Sequence, residues 1–297
     1  MQKILQLTLL SVISLSSLAS LSACTSKADT IITNQTKILQ SDPSNVSALI
    51  ERGNAFREKG DYAEALVDYN KAIQTSPDSA RAYLGRGINY LALNQYENAL
   101  TDFNKTIALN PEQNEAYARR GEARVKLQTG YSEALADFEK AIALGYTNPD
   151  LYRYRGQAYI RLGQKDQAIE AYLKSAGLTG INANSNISDI RVSSSQLDAL
   201  NEAVDLGLKD IRLYLLRGKL RRLDKRYDGA IDDFTQAIQI NPELTEAYEE
   251  RADAYFSDGQ CTRAEQDLQS ACKINNRRLC EAIQLGCTVT PVVSASP

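Results

Sequence analysis

The chain has 297 residues, with 34 lysines and arginines against 37 aspartates and glutamates, for a formal charge of −3. That mild acidity argues against a general nucleic-acid binder, whose affinity rests on neutralising phosphates with a basic surface. Histidine and tryptophan are both missing, which excludes Ser-His-Asp and Cys-His nucleophile chemistry, His-ligated zinc and any histidine pH switch. Residues 1–23 open on Met-Gln-Lys, continue as a Leu/Ile/Ser-rich apolar run and end in small residues, with Lys3 the only charge. A basic start, an apolar middle and a small-residue end are the pattern of a secretory leader. Gln6 and six serines make the run a poor permanent membrane span.

The leader ends in Leu21-Ser22-Ala23-Cys24. This resembles the lipobox of bacterial lipoproteins, which implies cleavage before Cys24 and lipidation of its thiol. An ordinary leader followed by a chance cysteine is the alternative. Several acyl chains, at roughly 0.8 kcal/mol per buried methylene, would anchor the chain stably. Thr25 and Ser26 follow the cysteine, where the enterobacterial pattern places an Asp for inner-membrane retention. The resemblance therefore implies an outer-membrane anchor facing the periplasm.

Residues 24–44 read as a short tether and a half-repeat helix. Lys37-Ile38-Leu39-Gln40-Ser41-Asp42-Pro43 parallels Lys71-Ala72-Ile73-Gln74-Thr75-Ser76-Pro77, the end of a second helix. A period of 34 residues then organises most of the chain, and such a period signals stacked repeats. Gly53, Gly87, Gly121, Gly156 and Gly218 sit in matching contexts, and Ala252 takes the same place. Each is followed in phase by an alanine (Ala65, Ala99, Ala134, Ala168, Ala230, Ala264) and four residues later by an apolar residue (Tyr69, Phe103, Phe138, Tyr172, Phe234, Leu268). Tyr83, Gly87 and Tyr90 lie at i, i+4, i+7, one stripe of a helix. Small residues let two helices approach and large ones fill the space beside them. Asp61-x-x-Glu64 and Asn94-x-x-Glu97 read as capping boxes for the second helices, and Pro77, Pro111 and Pro242 close several repeats.

This pattern resembles the tetratricopeptide repeat family. Six repeats are expected, four in 45–176 and two in 211–275. The resemblance implies an all-α, right-handed superhelical solenoid of antiparallel helix pairs. It also makes the sixteen tyrosines mostly core. Between the two runs, 177–210 reads as an irregular insertion, Gly/Asn/Ser-rich at first, with a degenerate half-repeat over 196–207. Arg52, Arg86, Arg120, Arg155, Arg217 and Arg251 recur once per repeat, in phase with Asp68, Asp102, Asp137, Asp233 and Asp267; Ala171 breaks the series in the fourth repeat. Phased opposite charges predict pairing between helices rather than an arginine ladder for polyanions.

The family groove, mapped on this chain, places an apolar stripe of Leu84, Ile88 and Leu91 in the second repeat. It places basic and polar residues Arg153, Gln157, Arg161, Arg212, Lys219 and Arg222 in the fourth and fifth. Acids Glu246, Glu249 and Asp253 follow in the sixth. Such a surface would suit a peptide with apolar anchors and acids; packing of the stripe on a neighbouring repeat is the alternative. Arg217–Arg226 holds six basic residues in ten and reads as a solvated face or a headgroup contact.

Cys261, Cys272, Cys280 and Cys287 complete the cysteine count, and an even number in an exported chain argues for two disulfides. Three connectivities are possible. A final capping helix over Arg277–Leu285, antiparallel to the one before it, would bring Cys272 to Cys280 and Cys261 to Cys287. The stretch also resembles the disulfide-bearing end of Sel1-like repeats. A zinc site is the alternative, against which stands the lack of paired Cys-x2–4-Cys spacing. A tail follows within 276–297. No catalytic constellation, metal set or cofactor motif is nominated. The expected function is a lipid-anchored scaffold of the bacterial cell envelope that binds proteins or peptides. A pilotin-like assembly factor, a passive spacer and a cell-wall enzyme are the alternatives.

Overall fold

The computed structural model describes residues 26–177 and 193–274. The leader with Cys24, nearly all of the irregular part of the insertion, the expected capping helix, Cys280 and Cys287 lie outside these residues, and so does the expected disulfide pairing. The described residues form fourteen helices and no strand. They fall into two compact bodies, one up to Tyr146 and one from Thr147 onward.

The first body begins with a single helix, α1 (Lys27–Ser41), and continues as three pairs: α2 (Val46–Lys59) with α3 (Tyr62–Thr75), α4 (Ala80–Ala92) with α5 (Tyr96–Leu109), and α6 (Asn114–Lys126) with α7 (Tyr131–Ala143). The second holds α8 (Pro149–Arg161) with α9 (Lys165–Ser175), a single helix α10 (Ser194–Asp205), α11 (Ile211–Leu223) with α12 (Tyr227–Ile240), and α13 (Thr245–Ser257) with α14 (Cys261–Ile274). Within each body every helix packs mainly on its partner in the pair and then on the next element in sequence. The architecture is all-α, built of stacked helix pairs.

The 34-residue period has a steric cause. A Cβ added at Gly53 would lie 3.0 Å from the Tyr69 ring, at Gly87 2.7 Å from Phe103, at Gly121 2.6 Å from Phe138, at Gly156 2.6 Å from Tyr172 and at Gly218 2.7 Å from Phe234. The first helix of each of these five pairs therefore presents bare backbone to a fully buried ring on the second. The sixth repeat carries Ala252 and Leu268 in this register, a methyl gained where a ring is lost.

The helix starts follow two rules. Four of the six first helices are capped by side chains: Asn45 accepts from the Ala48 N–H, Ser79 from Ala82, Asn148 from Asp150 and Asp210 from Arg212, whereas Gln113 and Leu244 make no such bond. The second-helix capping boxes expected at Asp61 and Asn94 do not form. Asp61 makes no side-chain cap bond, and Asn94 lies in the left-handed region at φ 57°, its Oδ1 accepting from the Tyr96 hydroxyl. The tight turn inside each pair uses a left-handed residue just after the first helix, supplied by Gly60, Asn94, Gln128, Gly163, Lys225 and Gly259, and the longer α6–α7 link has a second at Gly130. In α4–α5 that demand uses the asparagine that a cap would have needed.

Candidate functional site

The phased arginines and aspartates do pair. Arg52 donates in bidentate fashion to Asp68 (2.8 and 2.7 Å), Arg86 to Asp102 (2.8 and 2.8 Å), Arg120 to Asp137 (3.0 and 2.6 Å) and Arg251 to Asp267 (2.7 and 2.6 Å). Arg217 does the same with Asp233, through Nη2 at 2.6 Å. The free Nη1 of each arginine reaches a residue of the preceding second helix: Thr36, Asn70, Asn104, Asn201 and Thr235 in turn. Because Thr36 lies on α1 and Asn201 on α10, these two single helices occupy the place of second helices in their bodies. The aspartates are buried, and each forked pair holds its repeat's two helices in register.

In the first body, Leu84, Ile88 and Leu91 lie half-buried on α4. They pack around the cluster of Ala99, Phe103 and Ala123, so the stripe seals its own repeat against α6 and keeps only part of its surface for solvent. On the same helix Asn89 is fully buried, its amide donating to the Tyr62 carbonyl at 3.1 Å.

In the second body most of the basic groove positions answer acids of the chain itself. Lys219 is only 3% exposed, with its ammonium 2.6 Å from Glu246 and 3.4 Å from Glu250. Arg222 lies 2.9 Å from Glu250. Arg212 pairs with Glu170 and Asp210. Gln157 donates to Glu202, Arg153 sits 3.5 Å from the same carboxylate, and the Tyr172 hydroxyl donates to it at 3.0 Å. Burial, with the Glu202 charge beside it, pushes the Tyr172 hydroxyl well above an ordinary tyrosine. Arg161 remains exposed. The six-in-ten basic run over Arg217–Arg226 is solvated only at its end, where Lys225 and Arg226 are exposed. Arg217 and Lys219 are buried, Arg221 binds Asp233 at 2.9 Å and Arg226 binds Asp224 at 2.7 Å. For Arg217, Arg221, Lys219 and Arg222 the acids come from the next helix or the next repeat.

The fourth repeat differs from the rest. Ala171 stands where the aspartate would be, and Arg155 instead donates to the Tyr159 hydroxyl, at 3.0 Å from Nη2 and 3.3 Å from Nε. Its guanidinium lies 5.3 Å from the centre of the Tyr159 ring. Sequence reasoning marked the break at Ala171 but attached no site to it, and it missed Glu202 as a hub because Glu202 meets its partners from α8 and α9 only in the folded body. Cys261 and Cys272 both lie on α14. Among the described residues no group of three or more Cys, Asp or Glu could hold a metal ion, and no helix is long and apolar enough to cross a membrane.

Four repeat models match the chain: a TPR repeat over residues 53–93, and tetratricopeptide repeats over 80–113, 128–180 and 211–244. No curated protein matches it. Among solved structures it is similar to a tetratricopeptide repeat protein from Parabacteroides merdae ATCC 43184, with 20% identity, a TM-score of 0.42, and 85% of this chain and 88% of that one covered. It is also similar to YrrB, described as a TPR protein with an unusual peptide-binding site, with 22% identity, a TM-score of 0.34, and coverage of 73% and 98%. A third is the first TPR of Spaghetti bound to the HSP90 peptide SRMEEVD, with 30% identity, a TM-score of 0.39, and coverage of 41% and 96%. The helix pairs that these models match, in both bodies of the chain, are tetratricopeptide repeats.

Proposed function

We propose that this chain is a lipid-anchored scaffold of the bacterial cell envelope that binds partner proteins or peptides through its repeats. One observation carries the reading: helix-pair repeats in both bodies fold many of their ionic groups back on themselves, while the α4 stripe of Leu84, Ile88 and Leu91 keeps a partly exposed apolar flank. A surface of that kind gains free energy when a partner covers it, at about 25 cal/mol per Å² removed from water. The anchor reading rests on the lipobox-like Leu21-Ser22-Ala23-Cys24, and only Thr25 and Ser26 separate that cysteine from the start of α1. A thioether-linked lipid on Cys24 would hold the first repeats close to the bilayer, at the outer membrane if Thr25 and Ser26 are read as lacking a retention signal. A disulfide-tied end, with Cys272 bonded to Cys280 and Cys261 to Cys287, belongs to the same reading of an oxidising compartment.

Two experiments test it. Metabolic labelling with an alkyne fatty acid should mark the wild type and not Cys24→Ser; equal labelling removes the anchor. Partners crosslinked in intact envelopes should be captured by the wild type and lost with Ile88→Lys/Leu91→Lys. Lysine's long stem can cover the core beneath while its charge spoils the apolar flank. Circular dichroism must show both proteins equally helical, and an unchanged partner set would remove the stripe from the function.

A further inference from the structure

A cavity of about 310 Å³ lies on the α8–α9 pair, lined by Arg155, Tyr159, Asp166, Glu170, Ala171 and Lys174 among others. The first repeat has a matching cavity of about 340 Å³ beside Arg52, and there Asp68 already saturates the guanidinium. In the fourth repeat the same fork has no carboxylate partner among the described residues. Both cavities border the arginine, so the difference lies in the lining: Ala171 presents a methyl where five other repeats present a buried carboxylate. The nearby charges do not fill that place: Glu170 takes Arg212, the Lys174 ammonium lies 4.6 Å from the centre of the Tyr152 ring, and Asp166 sits exposed in the first turn of α9.

We propose that this cavity binds a carboxylate borne by a partner protein, an Asp or Glu side chain that completes in trans the pair that the chain makes in cis elsewhere. Arg155 supplies the planar two-donor fork that matches a carboxylate, the type of contact that sets geometry as well as affinity. The Tyr159 hydroxyl now accepts from both Nε and Nη2 of that fork, so an incoming carboxylate displaces a neutral acceptor and gains a charged pair in its place. The site is separate from the α4 stripe and stands whether or not that stripe binds anything.

The test uses the full chain and two small probes, N-acetyl-aspartate methylamide and its asparagine isostere, with acetate as the free carboxylate. The Arg155 Nε–Hε signal, assigned by its loss in Arg155→Gln, is followed by NMR. The aspartate probe should shift it saturably in the millimolar range, and the asparagine probe at least tenfold less at equal concentration. Ala171→Asp should abolish the response and raise the melting temperature, because the chain then fills its own site. No saturable shift, an equal response to the asparagine probe, or a response that persists in Ala171→Asp would overturn the proposal. Binding of acetate without binding of the aspartate probe would overturn it too, since the source would then be a small free anion and not a protein side chain.

Discussion

Replacing Gly121 by Ala and Phe138 by Leu, singly and together, tests the steric origin of the repeat. A Cβ on Gly121 would lie 2.6 Å from Cε1 of Phe138 and 2.9 Å from two further ring atoms, whereas ordinary contact begins near 3.4 Å. The helices, or the ring, must give by about 0.8 Å. Overpacking of this kind costs about 1–3 kcal/mol, and the better helix propensity of alanine returns about 1 kcal/mol. Gly121→Ala should therefore destabilise by roughly 0–2 kcal/mol. Phe138→Leu alone should cost about 1–2 kcal/mol, less than the 3–5 typical of Phe→Ala, because most of the buried volume stays. In the double variant the ring that clashed is gone and the methyl occupies its space, as Ala252 and Leu268 suggest for the sixth repeat. The double variant should thus be more stable than the sum of the singles implies, by about 1–2 kcal/mol. Urea unfolding of the full chain, followed by far-UV circular dichroism, measures the cycle. Additivity within about 0.5 kcal/mol would refute the reasoning, since it would mean that the two positions do not share space.

Three further expectations come from the same geometry. Lys219→Ala should lower stability by about 3 kcal/mol, because it strands the largely buried Glu246 carboxylate and leaves Glu250 with Arg222 alone; Arg161→Ala on the exposed end of α8 should stay within about 0.5 kcal/mol, and equal losses by differential scanning fluorimetry would count against the buried pair. Gln128→Gly and Lys225→Gly should each stabilise by up to about 1 kcal/mol, since both residues bear a left-handed φ that costs a side chain about 1–2 kcal/mol and a glycine little; a loss in thermal midpoint for both would contradict this. Hydrogen bonds from Lys59 and Ser26 hold the Asp29 carboxyl below the ordinary 3.8. A depressed folded value means that the stabilisation is present above the unfolded pKa, near 3.9, and is lost as pH falls through the lowered folded one. The carboxyl carbon of Asp29 should titrate below 3.8 in the wild type and higher in Lys59→Met, and coincident curves would be the contrary result.

The parts of this molecule that a single sequence reveals are those repeated in phase. Gly121 and Phe138, or Arg86 and Asp102, recur at one spacing, so their contact is readable before any coordinates. The Asp-to-Ala break at 171 is equally visible, yet only the folded pair shows that Arg155 turns to the Tyr159 hydroxyl in its place. Lys219 illustrates the opposite case. In a basic run it reads as solvated, because its partners Glu246 and Glu250 lie a repeat further on and meet it only through the packing of α11 on α13. Asn94 misled in another way: an asparagine three residues before a glutamate serves a cap or a left-handed turn equally well, and the short link between α4 and α5 decides for the turn.

Each forked arginine binds an aspartate 16 or 17 residues ahead and a residue 16 behind, so it fastens three helices belonging to two successive repeats. In a linear array such links act as nearest-neighbour coupling terms. Arg86 and Arg120 thus make each repeat of the first body a condition for the order of the next. Fraying should start at the ends of that body and advance in steps of a whole repeat, with amides of one pair exchanging together. Cutting one link, as in Arg86→Met, should divide the body into segments that open independently on either side of α4.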